Sequence, residues 1–265
     1  MGTLYAVKRL YPNLEFRTLV SHDDTTPKAR KRLSRDRVLR AAIAHADARG
    51  LEALTMRTLA DLLEVAPMAL YRHVANKDDL VDAMVDVVFS EVGVPLAGGD
   101  WKTSMRRRAI AVREALSRHP WAVGLMESRR SPGPANLRHH DAVIGRLRAA
   151  GFDVAMAAHA YSLLDSYIYG FALTKINLPF ETSEDVGQVA ETMLQPYPAN
   201  EYPNLVEFLS DHVMKPGYDY GDEFDYGLNV ILDGLERVRG GESTDAAGEL
   251  GAERARRASD HAGRY

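Results

Sequence analysis

Leu54-Thr55-Met56-Arg57-Thr58-Leu59-Ala60-Asp61-Leu62-Leu63-Glu64-Val65-Ala66-Pro67-Met68-Ala69-Leu70-Tyr71-Arg72-His73-Val74 is the stretch that decides the fold. Thr55 has a hydroxyl suited to accept from the free N–H groups at a helix start, and Leu59, Ala60 and Leu63 then fall on one helical face. The pattern breaks at Glu64-Val65-Ala66. Pro67, whose missing N–H costs nothing at a first helical position, opens a second helix that carries Leu70 and Val74 inward. Two such short helices need a surface to rest on, and the preceding segment supplies one. Ser34 is the candidate N-cap and Gly50 the candidate C-terminal stop of a helix whose Val38, Leu39, Ala42, Ile43 and Ala46 form one apolar stripe. This is a helix-turn-helix pattern, in which the second short helix has the size to enter a DNA major groove.

Charge is distributed along the same lines. Residues 28–77 hold 11 Lys or Arg against 5 Asp or Glu, a surplus of +6 in a chain whose formal net charge is −4, which leaves −10 elsewhere. A positive platform on an acidic chain suits phosphate attraction, whereas the overall balance excludes a wholly basic nucleic-acid coat. The solvated basic face of an ordinary helical domain carries such a surplus too.

Downstream the helical period continues. Asn76 caps a fourth helix in which Leu80, Val81, Met84, Val85 and Val88 lie opposite Asp78, Asp79, Asp82 and Asp86, a face expected in solvent and away from DNA. Gly93 to Gly99 interrupts, and Asp100 caps a helix carrying Trp101, Met105, Val112 and Leu116 as far as His119-Pro120. A short helix from Trp121 is broken by Ser131-Pro132-Gly133-Pro134. The spacing predicts further helices over about 136–150, 153–175, 182–194, 201–212 and 223–238. The one after Asp153 is apolar nearly all round and needs burial on several sides, and the last has Phe224, Leu228, Ile231, Leu235 and Val238 on a coiled-coil-like seam that wants a helical partner. With no alternating strand runs, hairpin signal or fixed-period repeat, the fold class is all-α.

At 265 residues and 46% hydrophobic, the chain has material for a real core, and with no cysteine it has no disulfide, thiolate metal site or thiol nucleophile. No apolar run approaches membrane-spanning length, and Met1 to Leu10 lacks an apolar signal region, so a cytoplasmic location is expected. Residues 1–33 read as a mobile extension ending in the basic run Lys28, Arg30, Lys31, Arg32, which either follows a minor groove or merely solubilises. Residues 240–265 read as a disordered tail. No G-x-S-x-G, P-loop, H-E-x-x-H or dinucleotide glycine pattern is present, and His139-His140-Asp141 is expected on a surface helix without a partner, so an enzyme is not expected. His119, His139, His140 and His159 show no metal-ligand spacing; neither metal nor cofactor is expected.

The residues of the opening stretch, with Asn76-Lys77-Asp78-Asp79-Leu80, closely resemble the N-terminal domain of TetR-family transcriptional regulators. Trp101, His119-Pro120-Trp121, Ala149-Ala150-Gly151-Phe152, Tyr169-Gly170-Phe171 and Phe224-Asp225-Tyr226-Gly227-Leu228 resemble more weakly the tetracycline-repressor type of C-terminal domain. The resemblance implies a three-helix DNA-binding domain over 34–80 and a larger helical effector-binding and dimerisation domain over 81–239. It further implies that Arg57, Pro67, Met68 and Ala69 face base edges, with Arg57 able to hold guanine in a bidentate contact, and that Met56 lies beside them. Arg72 reaches a base or a phosphate, while Thr55, Tyr71, His73 and Lys77 match phosphate-holding positions. Packing is the competing role for Tyr71, and capping for His73. Where many family members have Gly, this chain has Glu64, at a cost of about 1 kcal/mol if the backbone there is left-handed.

The same resemblance implies a homodimer on a palindromic operator, with Leu228, Ile231, Leu232 and Leu235 at the interface, and repression relieved by a small apolar or amphipathic effector. Phe89, Met126, Asp165, Ser166, Tyr169 and Asn177 are the candidate effector contacts. Gly93, Met126 and Ser166 fall where tetracycline-responsive members carry histidines that help bind drug and metal, so that chemistry is not expected. The alternative is an effector-independent dimeric DNA-binding protein or activator whose cavity is filled by its own side chains.

Overall fold

In the computed structural model, which describes residues 32–94, 99–180, 183–194 and 201–241, the regular elements are all helical. The Ser34 hydroxyl accepts the Arg37 N–H at 3.2 Å and opens α1 (Arg35–Arg49). Thr55 accepts the Thr58 N–H at 3.0 Å and opens α2 (Met56–Leu63). Pro67 takes the first position of α3 (Pro67–Leu70), and Tyr71 to His73 prolong it as a tight turn. Val38, Ala42, Ala46, Leu59, Ala60, Leu63, Leu70 and Val74 are all at most 5% exposed, and α2 packs on both α1 and α3.

Between α2 and α3 the chain turns through Glu64 at φ 55°, ψ 44°, the only non-glycine left-handed residue among those described. Its N–H reaches the Asp61 carbonyl at 3.1 Å and the Val65 N–H reaches that of Ala60 at 3.0 Å. These paired bonds satisfy the last carbonyls of α2 and require the left-handed residue between them. The turn therefore carries the strain that the sequence left open.

Asn76 accepts the Asp79 N–H at 2.9 Å while the Asp79 carboxylate accepts the Ala75 N–H at 2.8 Å, a reciprocal cap on α4 (Lys77–Val92). This helix packs on α1 and also on α5 (Trp101–Arg118) and α6 (Pro134–Ala149), so it belongs to both halves of the chain. A 3-10 turn, Pro120–Ala122, follows α5. The long α7 (Val154–Asn177) is packed by α5, α6 and α10 (Tyr220–Arg239), the several-sided burial its composition demanded. Gly227 lets α10 approach: a Cβ there would overlap the Tyr167 ring, whose hydroxyl donates to the Glu223 and Phe224 carbonyls, each at 3.0 Å. Between α7 and α10 lie α8 (Ser183–Leu194) and α9 (Pro203–Phe208), the latter running into a π turn, Leu209–Val213.

Two expectations shift. The helix expected over 201–212 is α-helical to Phe208 and continues as a π turn to Val213, and α10 starts three residues before Glu223, at Tyr220 behind an Asp219 cap. More consequentially, Leu228 and Leu232 are fully buried and Leu235 is 5% exposed within this one chain, with Ile231 partly buried against the same core. The partner of the seam is the chain's own core, so these leucines are core residues rather than an open interface. No described helix is long and apolar enough to cross a membrane. Most of the expected extension and tail lies outside the described residues.

Candidate nucleic-acid interface

What α2 and α3 leave outside differs sharply from what they bury. Met68 is 73% exposed and Tyr71 44%, so both can meet an outside surface. Thr55, Arg57, Pro67, Arg72 and Lys77 are exposed as well, with Met56, Ala69 and His73 half-buried. Arg57, Arg72 and Lys77 make no ion pair among the described residues, so their charge is available to an outside partner. The Thr55 hydroxyl serves its own helix, bonding the Thr58 N–H and lying 2.7 Å from the Thr58 hydroxyl. An exposed set of cations, a methionine and a tyrosine around a short helix can meet phosphates and thymine methyls together.

Behind this face, the acidic side of α4 is only in part the solvated surface expected from its pattern: Asp78 is exposed, but the carboxylates further along are engaged. Asp82 pairs with Arg129, which also donates to the Asp78 carbonyl at 3.3 Å. Asp86 accepts the N–H groups of Ala135 and Asn136, at 2.8 and 2.9 Å, and so caps the first turn of α6. A side chain at Gly133 would overlap Asp86, so glycine is needed where the two helices meet. These carboxylates were read as solvated because their partners lie some 50 residues away, beyond any local pattern.

The C-terminal half holds a buried polar cluster. Arg108 and Asp165 are 3% and 5% exposed and face each other at 2.5 Å. Arg108 Nε donates to His139 Nε2 at 2.9 Å, which leaves the imidazole proton on Nδ1, 2.9 Å from the carbonyl of Gly93 at the end of α4. Burial, with Arg108 beside it, lowers the His139 pKa to about 4, so the ring is neutral at pH 7. Phe89 packs on both His139 and His140, Tyr161 bonds His140, and Tyr169 donates to Glu127 at 2.9 Å. Burial, reinforced by the Asp165 and Glu127 carboxylates, pushes both phenols up, so they stay protonated donors.

Of the candidate effector contacts, Phe89, Asp165 and Tyr169 converge on this cluster, and Met126, 1% exposed, lies in the same core. Ser166 and Asn177 are exposed, and Asn177 bonds back to the Leu173 carbonyl. His139, expected on a surface helix, is fully buried. Sequence reasoning also passed over Arg108, Tyr161 and Glu127. A signal existed for Arg108, which stands three residues after Met105 and four before Val112, on the buried stripe, and for the burial of His139, which stands four before Val143. Among the described residues no three His, Asp or Glu side chains converge as metal ligands would.

Two family models match. "Bacterial regulatory proteins, tetR family" covers residues 38–84, and "Tetracyclin repressor-like, C-terminal domain" covers residues 94–239. The HTH-type transcriptional repressor DrrR1 of Streptomyces coeruleorubidus is 32% identical over 212 residues, 77% of each chain. The tetracycline repressor protein class A of Escherichia coli is 30% identical over 211 residues, 78% of this chain and 93% of that one. Among solved structures, the Streptomyces coelicolor TetR family protein ActR in complex with actinorhodin is similar at a TM-score of 0.65 and 29% identity, over 79% of this chain and 99% of that one.

Proposed function

Because the chain belongs to the TetR family of bacterial transcriptional regulators, DNA-binding proteins and not enzymes, we propose that it is a homodimeric repressor that leaves a palindromic operator when a small effector enters its C-terminal body. The observation that carries the DNA half is the unpaired, exposed set Arg57, Met68, Tyr71, Arg72 and Lys77 around a short helix that follows a tight left-handed turn. Arg57 reads guanine, Met68 and Ala69 meet thymine methyls, and Pro67 and Met56 shape the approach. Thr55, Tyr71, His73 and Lys77 hold phosphates and set the register, with Arg72 beside them. Residues 34–80 act as the reading head and 81–239 as the effector and dimerisation body, working in the cytoplasm where bacterial DNA lies.

Dimerisation uses the outward sides of α7 and α10. Leu163, Ser166, Gly170 and Leu173 follow one face of α7 at spacings of 3, 4 and 3, with Leu163 46% and Leu173 53% exposed; Tyr226 and Val230 on α10 are 71% and 55% exposed. Apolar and small residues on two adjacent helices are what a second copy covers, and a two-fold pair then presents two heads to half-sites roughly 34 Å apart.

An effector is supported by the ligand-bound relative and by the way α4 is tethered. Asp82, Asp86, Glu91 and Gly93, all on α4 or its cap, each bind a group of the body, so a rearrangement around Arg108 and His139 pulls on the helix that carries the head. A shift of a few ångströms in head spacing misaligns one half-site. The test is footprinting of the DNA flanking its own gene. Protection of two inverted half-sites about one turn apart is expected; no protected site at moderate salt overturns the reading.

A further inference from the structure

The least satisfied part of the interior is the Arg108–Asp165 pair. Arg108 Nη2 and Asp165 Oδ1 are 2.5 Å apart, yet neither Nη atom and neither carboxylate oxygen has an aligned hydrogen-bond partner, and all four are shut away from solvent. A buried ion pair offsets its desolvation only when its remaining protons and lone pairs are engaged. Only Nε, donating to His139, is fully used. The guanidinium therefore has unused donors in the one place where another acceptor gains most.

Beside it lies a cavity of about 180 Å³, with Ser104, Arg107, Arg108 and His139 among its walls together with the apolar Val92 and Ala111. Two guanidinium groups and no carboxylate line it. His139 adds no charge at pH 7 and is already committed on both nitrogens. A cation entering here meets repulsion, and a neutral apolar molecule leaves the Arg108 donors as they are. An anion that takes the place of Asp165 gains a planar fork of N–H groups matched to a carboxylate. Asp165, the present occupant of that fork, keeps the Tyr161 phenol beside it through such an exchange.

Resting on the effector reading above, we propose that the effector is an organic acid with an apolar body, whose carboxylate docks on Arg108 in competition with Asp165. The body fills the apolar side of the cavity while the acid fixes its orientation, and the Arg108–His139–Gly93 chain carries the exchange to the end of α4.

The test is calorimetric titration of the full chain at neutral pH with three probes of one shape: 1-naphthoate, 1-naphthamide and 1-naphthylmethylammonium. Naphthoate is expected to bind at least about tenfold more tightly than the amide, as a charge-assisted hydrogen bond supplies, with the ammonium weakest. Asp165→Asn, which removes the internal competitor, should tighten naphthoate further. The double variant Arg108→Gln/Asp165→Asn, which keeps a neutral pair of similar volume and so guards against a folding artefact, should lose the preference. The proposal is overturned if the amide or ammonium binds as well, if the preference survives in the double variant, or if none of the three binds by about 1 mM. The footprint is read on the same preparation. A protected operator released by a neutral compound overturns the acid while leaving the effector reading standing, whereas a missing footprint brings down the regulator reading itself.

Discussion

His119 Nδ1 lies 2.8 Å from Asp47 Oδ1, and the opposite nitrogen of the same buried ring lies 3.1 Å from Glu91 Oε2. One imidazole thus joins α1 of the reading head to the last turn of α4, from a position at the end of α5. Trp121 donates to the same Asp47 oxygen at 2.7 Å, and Arg118 to the same Glu91 oxygen at 3.0 Å. Partial burial works against ionisation of Glu91, but Arg118 and His119 outweigh it and hold its carboxyl below the usual range. His119→Ala should cost about 1–2 kcal/mol, discounted because both carboxylates are partly exposed. Urea unfolding checks this; an unchanged midpoint contradicts the clamp.

Glu64 offers a gain. With φ at 55° and no partner that its side chain serves among the described residues, replacing it with glycine removes the left-handed penalty. Glu64→Gly should raise the unfolding free energy by about 1 kcal/mol, less the extra entropy that glycine brings to the unfolded chain. A loss of stability in equilibrium unfolding would show that the side chain has a role the geometry does not reveal.

Acid should act through His139. Its pKa falls from an ordinary 6.5 to about 4 on folding, burial being the chief cause and Arg108 the next. Between those values the unfolded chain holds a proton that the folded chain does not, so stability is lost as pH falls from 6.5 towards 4 and this group adds no further loss below that. The contribution is at most about 3 kcal/mol. His139→Gln keeps an acceptor for Arg108 and a donor for the Gly93 carbonyl but does not titrate. Its unfolding midpoint should therefore depend less on pH in that window than that of the parent; equal slopes contradict the assignment.

The outward faces of α7 and α10 predict the assembly. Val230→Glu places a charge on a residue 55% exposed in the single chain, so folding is expected to survive while a dimer is lost. Sedimentation should show the parent as a dimer and the variant as a monomer with unchanged helicity. A parent that sediments as a monomer contradicts the two-fold arrangement.

Helices and their starts were legible because capping is local. Ser34, Thr55, Pro67, Asn76, Asp100 and Asp153 each stand at the helix start that their chemistry marks. The left-handed turn could be named as a possibility only through the family resemblance, which puts glycine at the position of Glu64. What periodicity did not carry was partnership across the chain. Asp82 and Asp86 look solvated on a helical wheel because Arg129 and the start of α6 are distant in sequence. Leu228, Leu232 and Leu235 look like a seam between copies because a heptad pattern does not say which helix fills it. Arg108 was hidden for the opposite reason: as one of three consecutive arginines it reads as surface, although its register puts it on the apolar stripe.

The central claim, that the face around α3 reads a palindrome with Arg57 as a base contact, is tested most directly by selection from randomised duplexes with the parent and Arg57→Ala. The account predicts an enriched inverted repeat for the parent, with a guanine in each half-site whose preference relaxes in the variant at a cost of about 1–3 kcal/mol, while Lys77→Ala weakens all sequences alike. No inverted repeat for the parent, or an Arg57→Ala variant that loses affinity equally for every sequence, would contradict it.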